Sequence, residues 1–384
     1  MNRLAHDPAN PIALVLSGGG ARGAFQAGVW HTLYTDERGL RRLPDVISGT
    51  SAGALNGVLI AAGLNPGQIL DFWLDLADRP PVVANETFFR SLGRELLKLA
   101  VREPTRSLSL RKREVLVALD LLKKHAWYRE SGRLAMGLEY LMTARFDTLS
   151  TLLAGIETSY LFSTEPVRER IAQAIGAREL RDTPVKLAIN TVDIGTGKVV
   201  RIVNHKPDKA VHSATHYRYE PVISLDMILA SASIPVLFNP VRVGEQELWD
   251  GGVLVNTPLA PAVALGARRI VPVLVTMPPD HKPQPIKTMG NAIERLADSF
   301  LENAYNTDRK LLLDRNELAK RHGDPKLREI ELLRAIRPDE AAPFDAGSYL
   351  YFERKPMLAM FAAGQRAAER WLARGPEVDG RGLE

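Results

Sequence analysis

Residues 12–23 read IALVLSGGGARG and residues 46–57 read VISGTSAGALNG, and these two stretches decide the fold. In each, a short apolar run rich in branched side chains precedes a turn of small residues, and apolar residues at helical spacing follow. The predicted strands are Ile12–Leu16 and Asp45–Ile47, the second turn is Gly49–Gly53, and the predicted helices are Ala24–Tyr34 and Ala54–Ala62. Two strand–turn–helix units in series predict an α/β fold with a mainly parallel sheet.

The composition is that of a globular enzyme. Of the 384 residues, 45% are hydrophobic and 25% charged, and the mean hydropathy is −0.11. These values argue against a disordered, collagen-like or multi-span membrane protein. The chain has 0 cysteines, which excludes disulfides, thiolate nucleophiles and Cys-ligated metal sites.

Targeting signals are not expected from the sequence. The N-terminal region has one early basic residue, Arg3, and its apolar run is too short for a secretory signal. The longest uncharged stretch, 46–70, is interrupted by glycines, Asn and Pro, so it does not predict a membrane-spanning helix. We therefore expect a cytoplasmic protein, with peripheral contact at the inner membrane surface as the alternative to a freely dissolved one.

Three regions are predicted along the chain. The α/β core covers residues 10–275 and is interrupted by a Leu-rich helical insertion at 86–150. After the insertion, Val185–Val192 and Lys198–Val203 predict a hairpin, and Ile270–Val275 predicts a late core strand. Residues 276–384 are predicted to be a mainly helical C-terminal region that packs on the core, with helical periodicity over 286–320 and 356–373.

The insertion holds the excess positive charge. Residues 86–145 contain 13 Lys and Arg against 7 Asp and Glu, a balance of +6, whereas the whole chain carries +5. Basic residues interleaved with leucines predict either peripheral contact with anionic lipid or a lid that packs on the core or on a second copy in a homo-oligomer. Nucleic acid is not an expected partner, since stacking aromatics are not interleaved with the basic residues.

A candidate nucleophile lies in the second turn. Gly49-Thr50-Ser51-Ala52-Gly53 is a G-x-S-x-G sequence between a predicted strand and a predicted helix. In a nucleophile elbow, small neighbours such as Gly49, Ala52 and Gly53 permit the strained turn that presents the serine hydroxyl. The pattern predicts that Ser51 is a nucleophile.

The first turn predicts an anion cradle. Gly18, Gly19, Gly20, Arg22 and Gly23 follow a strand and open a helix, so the backbone N–H groups converge on one concavity. Two interpretations remain open on these residues alone. One is an oxyanion hole; the other is a G-x-G-x-x-G dinucleotide site whose ribose ligand would be Asp36 or Asp45.

The histidines do not supply an obvious base for Ser51. His281 and His322 follow Asp250 in the order of an α/β-hydrolase triad, but both lie among proline or charged residues. His212 and His216 have a metal-ligand spacing without a third ligand, so no metal site is predicted. Asp250-Gly251-Gly252 follows a strand-like segment, and its glycines would let the carboxylate approach another loop.

Taken together, the glycine-rich turn, the G-x-S-x-G turn and the Asp250-Gly251-Gly252 turn closely resemble the patatin-like phospholipase family. The segment Ala230–Pro235 also resembles the family's segment before its aspartate, and the agreement covers about residues 12–80 and 155–275. The insertion is where the chain departs from short members of the family. The resemblance weighs against the dinucleotide site.

The resemblance implies a three-layer α/β/α sandwich and a Ser–Asp dyad without histidine, metal or other cofactor. Ser51 then corresponds to the nucleophile and Asp250 to the base, and the N–H groups of Gly18–Gly20 and of Ala52 would hold the oxyanion. Arg22 would order the glycine turn or contact a phosphate, and Asn256 and Pro258 are interpreted as turn residues. The implied activity is acyl-ester hydrolysis of phospholipid or lysophospholipid. A lipid-binding regulator with little turnover and an acyltransferase remain the alternatives.

Overall fold

A computed structural model describes residues 4–102, 152–208, 216–278, 285–322, 328–344 and 348–380. The chain divides into two compact units, one formed by Met1–Val83 with Thr164–Glu384 and the other by Ala84–Ser163. The predicted helices between 103 and 150 lie outside the described residues.

The strands and helices have the following bounds. The strands are β1 (Ile12–Leu16), β2 (Val46–Thr50), β3 (Val83–Ala84), β4 (Tyr160–Ser163), β5 (Glu179–Leu180), β6 (Lys186–Asp193), β7 (Lys198–Val203), β8 (Tyr217–Tyr219), β9 (Ile223–Ser224), β10 (Val236–Phe238), β11 (Val241–Val243), β12 (Gln246–Asp250), β13 (Arg269–Val273) and β14 (Glu331–Leu332). The helices are α1 (Gly23–Thr35), α2 (Ala52–Ala61), α3 (Pro66–Asp78), α4 (Glu86–Arg102), α5 (Glu165–Ile175), α6 (Leu225–Ser231), α7 (Leu259–Ala264), α8 (Met289–His322) and α9 (Arg354–Arg374), with short 3₁₀ turns at Gly20–Arg22 and Gly251–Val253.

The larger unit is built on a mainly parallel sheet. Within the described residues, nine strands join in the order β11-β12-β6-β2-β1-β13-β14, and β7 and β8 extend from β6. Strand β1 is parallel to both neighbours, β2 and β13, and all five of its residues are buried. A strand covered on both faces must be apolar throughout, which is why its sequence is continuous rather than alternating. The predicted α/β fold is confirmed.

Helices cover both faces of this sheet. Ile12, Leu14 and Leu16 belong to one hydrophobic cluster, which also contains residues of α1, α2, α3 and α9. Ala13 and Val15 point the other way, into a second cluster with residues of α7 and α8. Alternate side chains of one strand thus serve two cores, as the period of two requires. The arrangement is the expected sandwich of helix, sheet and helix layers.

The second strand is longer than the sequence analysis predicted. Strand β2 runs from Val46 to Thr50, so Gly49 and Thr50 belong to the strand and not to the turn. The turn is reduced to Ser51, and α2 begins at Ala52 rather than Ala54. The predicted hairpin is present as antiparallel β6 and β7. The strand continues because Gly49 pairs with Leu16 and Ile189 and Thr50 pairs with Asn190, and periodicity along the sequence cannot show that pairing.

The smaller unit is described only in part. Helix α4 carries exposed ion pairs, Arg90–Glu86 at 2.9 Å and Arg94–Glu157 at 2.8 Å. Exposed pairs of this kind contribute little to stability. Among the helices that the structure describes, none combines the length and apolar character needed to cross a membrane.

Candidate functional site

Ser51 occupies a strained turn between β2 and α2. Its φ is +54° and its ψ is −124°, a conformation that L-residues rarely adopt. Close backbone approach explains the glycines on either side. A Cβ on Gly49 would lie 2.4 Å from the carbonyl oxygen of Gly53, and a Cβ on Gly53 would lie 2.3 Å from that of Leu16. The G-x-S-x-G sequence therefore has the geometry of a nucleophile elbow.

Strand β6 brings Asp250 to Ser51 across about two hundred residues of sequence. Thr50, the last residue of β2, pairs with Asn190, and Asp250, the last residue of β12, pairs with Thr191. Because β2 runs parallel and β12 antiparallel to β6, on its two sides, both strands end at the same level of β6. The Ser51 hydroxyl lies close enough to the Asp250 carboxylate for hydrogen bonding between them to lower the pKa of that carboxyl.

The carboxylate of Asp250 is buried, and this alters its acidity. Burial raises the pKa of Asp250 from 3.8 to about 6, while hydrogen bonds from the Ser51 hydroxyl and the Gly252 amide act to lower it. The Gly252 amide donates to Oδ1 at 2.7 Å. Removal from water disfavours the charged form and makes the carboxylate a stronger base than a solvated Asp. The group is still ionised at neutral pH.

The glycines after Asp250 permit the carboxylate turn. A Cβ on Gly251 would lie 2.6 Å from the carbonyl oxygen of Asn190, and one on Gly252 would lie 3.1 Å from Asp250 Oδ1. The sharp turn predicted at Gly251-Gly252 therefore packs directly against β6 and against the Asp250 carboxylate.

Two serines before β12 fix the backbone on either side of the site through hydrogen bonds. The sequence patterns do not predict a role for either. Ser231 Oγ accepts the backbone N–H of Ser51 at 3.0 Å and donates to the carbonyl of Asn190 at 2.7 Å. The carbonyl of Ser233 accepts the backbone N–H of Asp250 at 2.9 Å. Both serines are fully buried. The Ala230–Pro235 segment resembles that of the family, but the periodicity of its residues gives no signal for these contacts.

The glycine-rich turn leaves some of its amides unpaired. Gly18 donates to the carbonyl of Asn256 at 3.1 Å, and Ala21 donates to that of Tyr349 at 2.9 Å. Within the described ranges, no acceptor is found for the amides of Gly19, Gly20 and Ala52. The Gly18 amide already donates to the Asn256 carbonyl in this structure, so that the role expected of Gly18 as an oxyanion donor stays a prediction.

Close packing accounts for the glycines of this turn. A Cβ on Gly18 would lie 3.2 Å from Ser51 Cβ, so the turn passes directly over the candidate nucleophile. Gly20 has a φ of +54°, and a Cβ there would lie 2.2 Å from the carbonyl oxygen of Tyr349. A Cβ on Gly23 would lie 2.3 Å from the ring of Trp73.

Asn256, interpreted from sequence as a turn residue, is part of the site. Its carbonyl accepts the Gly18 amide, and its side-chain amide approaches the Gly18 carbonyl at 3.4 Å. The residue is buried. Asn256 thus connects the turn after Asp250 to the glycine-rich turn.

The side chain of Arg22 faces the C-terminal region. Its guanidinium is fully buried, contacts Asp298 at 2.9 Å and Glu294 at 2.8 Å, and stacks 3.7 Å from the ring centroid of Tyr349. Its Nε donates to Ser348 Oγ at 2.7 Å. Of the two roles considered for Arg22, these contacts favour ordering of the glycine turn over contact with a substrate phosphate.

The dinucleotide interpretation has no geometric support. Asp45 accepts the Ile12 amide at 2.8 Å, at the start of β1, whereas the glycine turn follows the end of that strand roughly 15 Å away. Asp36 follows α1, a helix of 13 residues that begins at the glycine turn and spans about 20 Å. Neither carboxylate is placed to bind a ribose held by the turn.

No hydrogen bond among the described residues joins a histidine ring to Ser51 or Asp250. The ring of His31 hydrogen-bonds Gln365, and that of His205 hydrogen-bonds Asn204. His212 and His281 lie outside the described residues, and His322 ends α8. A search of the described part of the chain finds no group of three His, Asp or Glu side chains that could hold a metal.

The site therefore combines a strained serine, a buried carboxylate beside its hydroxyl, and amides on two adjoining turns for which the described residues offer no acceptor. Such groups can attack a carbonyl carbon and stabilise the oxygen anion that forms.

Comparison with known proteins gives one family match. The family model described as Patatin-like phospholipase matches residues 14–263. A search of curated proteins finds no match.

Solved structures similar to the chain include two bacterial proteins. VipD from Legionella pneumophila is 15% identical with a TM-score of 0.38, and the match covers 97% of this chain and 68% of VipD. ExoU in the ExoU–SpcU complex from the type III secretion system of Pseudomonas aeruginosa is 17% identical with a TM-score of 0.26, covering 79% of this chain and 52% of that one. The chain spans about half of this ExoU chain. At these scores the likenesses carry no argument about function.

Proposed function

The chain belongs to the patatin-like phospholipase family, a family of ester-hydrolysing enzymes, and from that premise we propose that it is a serine acyl hydrolase acting on phospholipid or lysophospholipid. In this proposal Ser51 is the nucleophile and Asp250 is the base. The amides of Gly19, Gly20 and Ala52 hold the oxyanion.

One observation carries the proposal. The Ser51 hydroxyl lies beside the buried carboxylate of Asp250 and acts to lower its pKa, at the level of β6 where β2 and β12 both end. A serine hydroxyl needs an adjacent base to become a nucleophile, and burial makes this carboxylate basic enough to serve. Gly18 of the glycine-rich turn packs against the same serine, and the described residues offer no acceptor for the next two amides of that turn, those of Gly19 and Gly20.

The proposed reaction has two halves. Ser51 Oγ attacks the ester carbonyl carbon while its proton passes to Asp250, and the carbonyl oxygen becomes an anion bonded to the amides. The intermediate collapses by breaking the carbon–oxygen ester bond, and Asp250 returns the proton to the departing alcohol. Water then attacks the acyl-enzyme, gives a proton to Asp250, and releases the fatty acid as the proton returns to Ser51.

Labelling with a fluorophosphonate tests the dyad directly. Wild type, Ser51→Ala and Asp250→Asn are compared for labelling and for fatty-acid release from phospholipid and lysophospholipid vesicles. We expect Ser51→Ala to lose both, and Asp250→Asn to lower turnover by about 10²–10⁴-fold because general-base assistance is removed.

Ser48→Ala is the matched control. Ser48 lies in β2, three residues before Ser51, and is fully buried. Its Oγ has no hydrogen-bond partner within the described part of the chain. The control should label and turn over as wild type does. Labelling of Ser51→Ala at the wild-type rate would contradict the assignment.

The same samples separate the alternatives. Folded wild type that binds lipid but neither labels nor hydrolyses would support a lipid-binding regulator. Transfer of the acyl group to added glycerol or lysolipid in preference to water would support an acyltransferase. The choice between phospholipase A and lysophospholipase activity follows from which vesicles release fatty acid.

Three further expectations stay predictions. Peripheral membrane contact through residues 86–145 concerns a segment of which only α4 is described. Homo-oligomer formation and a cytoplasmic location are likewise untested. Flotation with vesicles, sedimentation and fractionation of cells would examine them in turn.

A further inference from the structure

The first half of α8 lies beside the glycine-rich turn. Its inner face carries Glu294 and Asp298, which hold the Arg22 guanidinium at 2.8 and 2.9 Å. Tyr349, whose carbonyl accepts the amide of Ala21, also contacts Asp298 through its hydroxyl. This part of the helix therefore sits at the edge of the sheet that carries Ser51.

The outer face of the same half is apolar and exposed. Ile293, Leu296 and Phe300 are 60%, 58% and 67% exposed. Their i, i+3, i+7 spacing places them on one side of the helix, which we call the α8 apolar face. The other described residues between 292 and 304 on that side are uncharged: Ala292, Ala297, Ser299, Asn303 and Ala304. The charged residues of this stretch fall on the opposite side of the helix.

The second half of the helix is different. Leu311 and Leu318 are 62% and 50% exposed, but they alternate on the outer side with Lys310, Glu317 and Arg321. An outer face of this composition is an ordinary solvated one. The absence of charge is confined to the half of α8 that adjoins the glycine-rich turn.

We propose that the α8 apolar face is the surface by which this chain docks on aggregated lipid. The choice of a lipid surface rests on the proposed function. A chain that hydrolyses packed lipid must bring the edge of the sheet carrying Ser51 to that surface, and the α8 apolar face lies at this edge. Apolar side chains without neighbouring charges enter the acyl–headgroup boundary at little cost in desolvation.

The size of the face argues against a second copy of the chain as its occupant. At about 60% exposure each, three large side chains offer roughly 400 Å², and stable dimers bury ~800 Å² per partner. A patch of this size is typical of functional surfaces on monomers. Insertion into lipid needs no complementary protein surface.

Vesicle binding in a Ser51→Ala background tests the proposal without depending on turnover. The paired substitutions Leu296→Ser and Phe300→Ser are compared with Leu311→Ser and Leu318→Ser, which remove exposed apolar side chains from the same helix. Vesicles of phosphatidylcholine alone and of equal parts phosphatidylcholine and phosphatidylglycerol are used. We expect the first pair to lower partitioning at least about tenfold on both, and the control pair to leave it unchanged.

Turnover supplies the second measurement. With Ser51 intact, the Leu296 and Phe300 pair should hydrolyse a monomeric p-nitrophenyl ester as wild type does, while hydrolysis of vesicles falls about tenfold. Circular dichroism and thermal unfolding should match wild type, since both side chains are exposed. Ile293→Ser is a second variant for the same face.

Several outcomes would overturn the proposal. These are unchanged partitioning of the Leu296 and Phe300 pair, an equal loss in the Leu311 and Leu318 pair, or a wild-type dimer that the first pair dissociates. Failure of the proposed function is distinct, since it would appear as an absence of labelling and turnover in wild type while vesicle binding is still measurable.

Discussion

The buried surroundings of Asp250 disfavour the ionised form of its carboxyl group. Burial raises its pKa to about 6, and the hydrogen bonds from Ser51 and Gly252 compensate only in part. A solvated aspartate, with a pKa of ~3.9, would be a weak base for a serine hydroxyl. The buried carboxylate is better matched to proton transfer near neutral pH, where it is still ionised.

The pH dependence of activity should report this group. We expect kcat/KM for an uncharged monomeric ester to fall as pH decreases through about 6, because protonated Asp250 cannot accept the Ser51 proton. The measurement is a pH profile between 4.5 and 8.5 in buffers of constant ionic strength, in steps of about half a unit. A value of kcat/KM that stays at its plateau from pH 8.5 down to about 5 would contradict the effect of burial.

Ionisation of the same carboxylate as pH rises should increase activity but lower the stability of the fold. Since the folded pKa of about 6 exceeds the unfolded value of ~3.9, the folded state binds the proton more tightly, and its stability falls as pH rises from about 4 to about 6. We expect Asp250→Asn to raise the free energy of unfolding by up to about 3 kcal/mol above pH 7.

Urea unfolding of wild type and Asp250→Asn at pH 4 and pH 7.5 would measure this difference. The asparagine oxygen can still accept the Gly252 amide, so the variant keeps that hydrogen bond. Near pH 4 the two proteins should be almost equally stable. A variant less stable than wild type at pH 7.5 would show that the charged form is favoured by the fold.

At the scale of elements, α1 and α9 cross at reciprocal glycines. A Cβ on Gly28 of α1 would lie 1.9 Å from the carbonyl oxygen of Phe361, and a Cβ on Gly364 of α9 would lie 2.0 Å from that of Phe25. The two backbones are in direct contact, so any side chain at either position must separate the helices. Helix α1 begins at the glycine-rich turn, so that the packing of α9 against α1 also fixes the position of that turn.

Gly28→Ala tests this crossing. We expect it to lower the free energy of unfolding by about 1–3 kcal/mol, because a single methyl group overpacks the contact. Gly93→Ala in α4 is the control, since outside its own helical turns no atom of the described residues lies within 4 Å of the added Cβ. That substitution should not lower stability, because alanine is the better helix former. Equal destabilisation by both would contradict a specific helix contact.

At the scale of the whole molecule, the C-terminal region holds the glycine-rich turn in place. The partners of Arg22 are Glu294, Asp298, Ser348 and the carbonyl of Val275, all beyond the residues matched by the family model. The candidate oxyanion turn thus depends on chain that lies some 250–330 positions away in the sequence. A fragment ending at 263 would lack every one of these contacts.

Arg22→Gln tests the dependence on these contacts. Removing the guanidinium leaves two partly buried carboxylates facing each other, and we expect a loss of about 3 kcal/mol in the free energy of unfolding. Arg38→Gln is the control, because its ion pair with Asp36 is exposed and its removal should leave the urea midpoint unchanged. A similar midpoint for both variants would refute a central role for Arg22.

The local order of the chain was readable from its residues. Continuous apolar runs identified β1 and the hairpin of β6 and β7, and helical spacing identified α1, α8 and α9 within a few residues. The motifs around Ser51 and Asp250 were recognisable because strained turns restrict the residue types that fit. These features depend on neighbours within a turn or two, and such neighbours are adjacent in the sequence.

Only the tertiary structure decided which of those residues meet. The contact of Ser51 with Asp250 depends on two strands pairing with consecutive residues of β6, and the end of β2 at Thr50 depends on the same pairing. The roles of Ser231, Asn256 and the Gly18 amide rest on hydrogen bonds between distant segments. Local periodicity shows which face of an element is buried but not which element covers that face. The base strength of Asp250 and the partners of Arg22 therefore depend on tertiary packing.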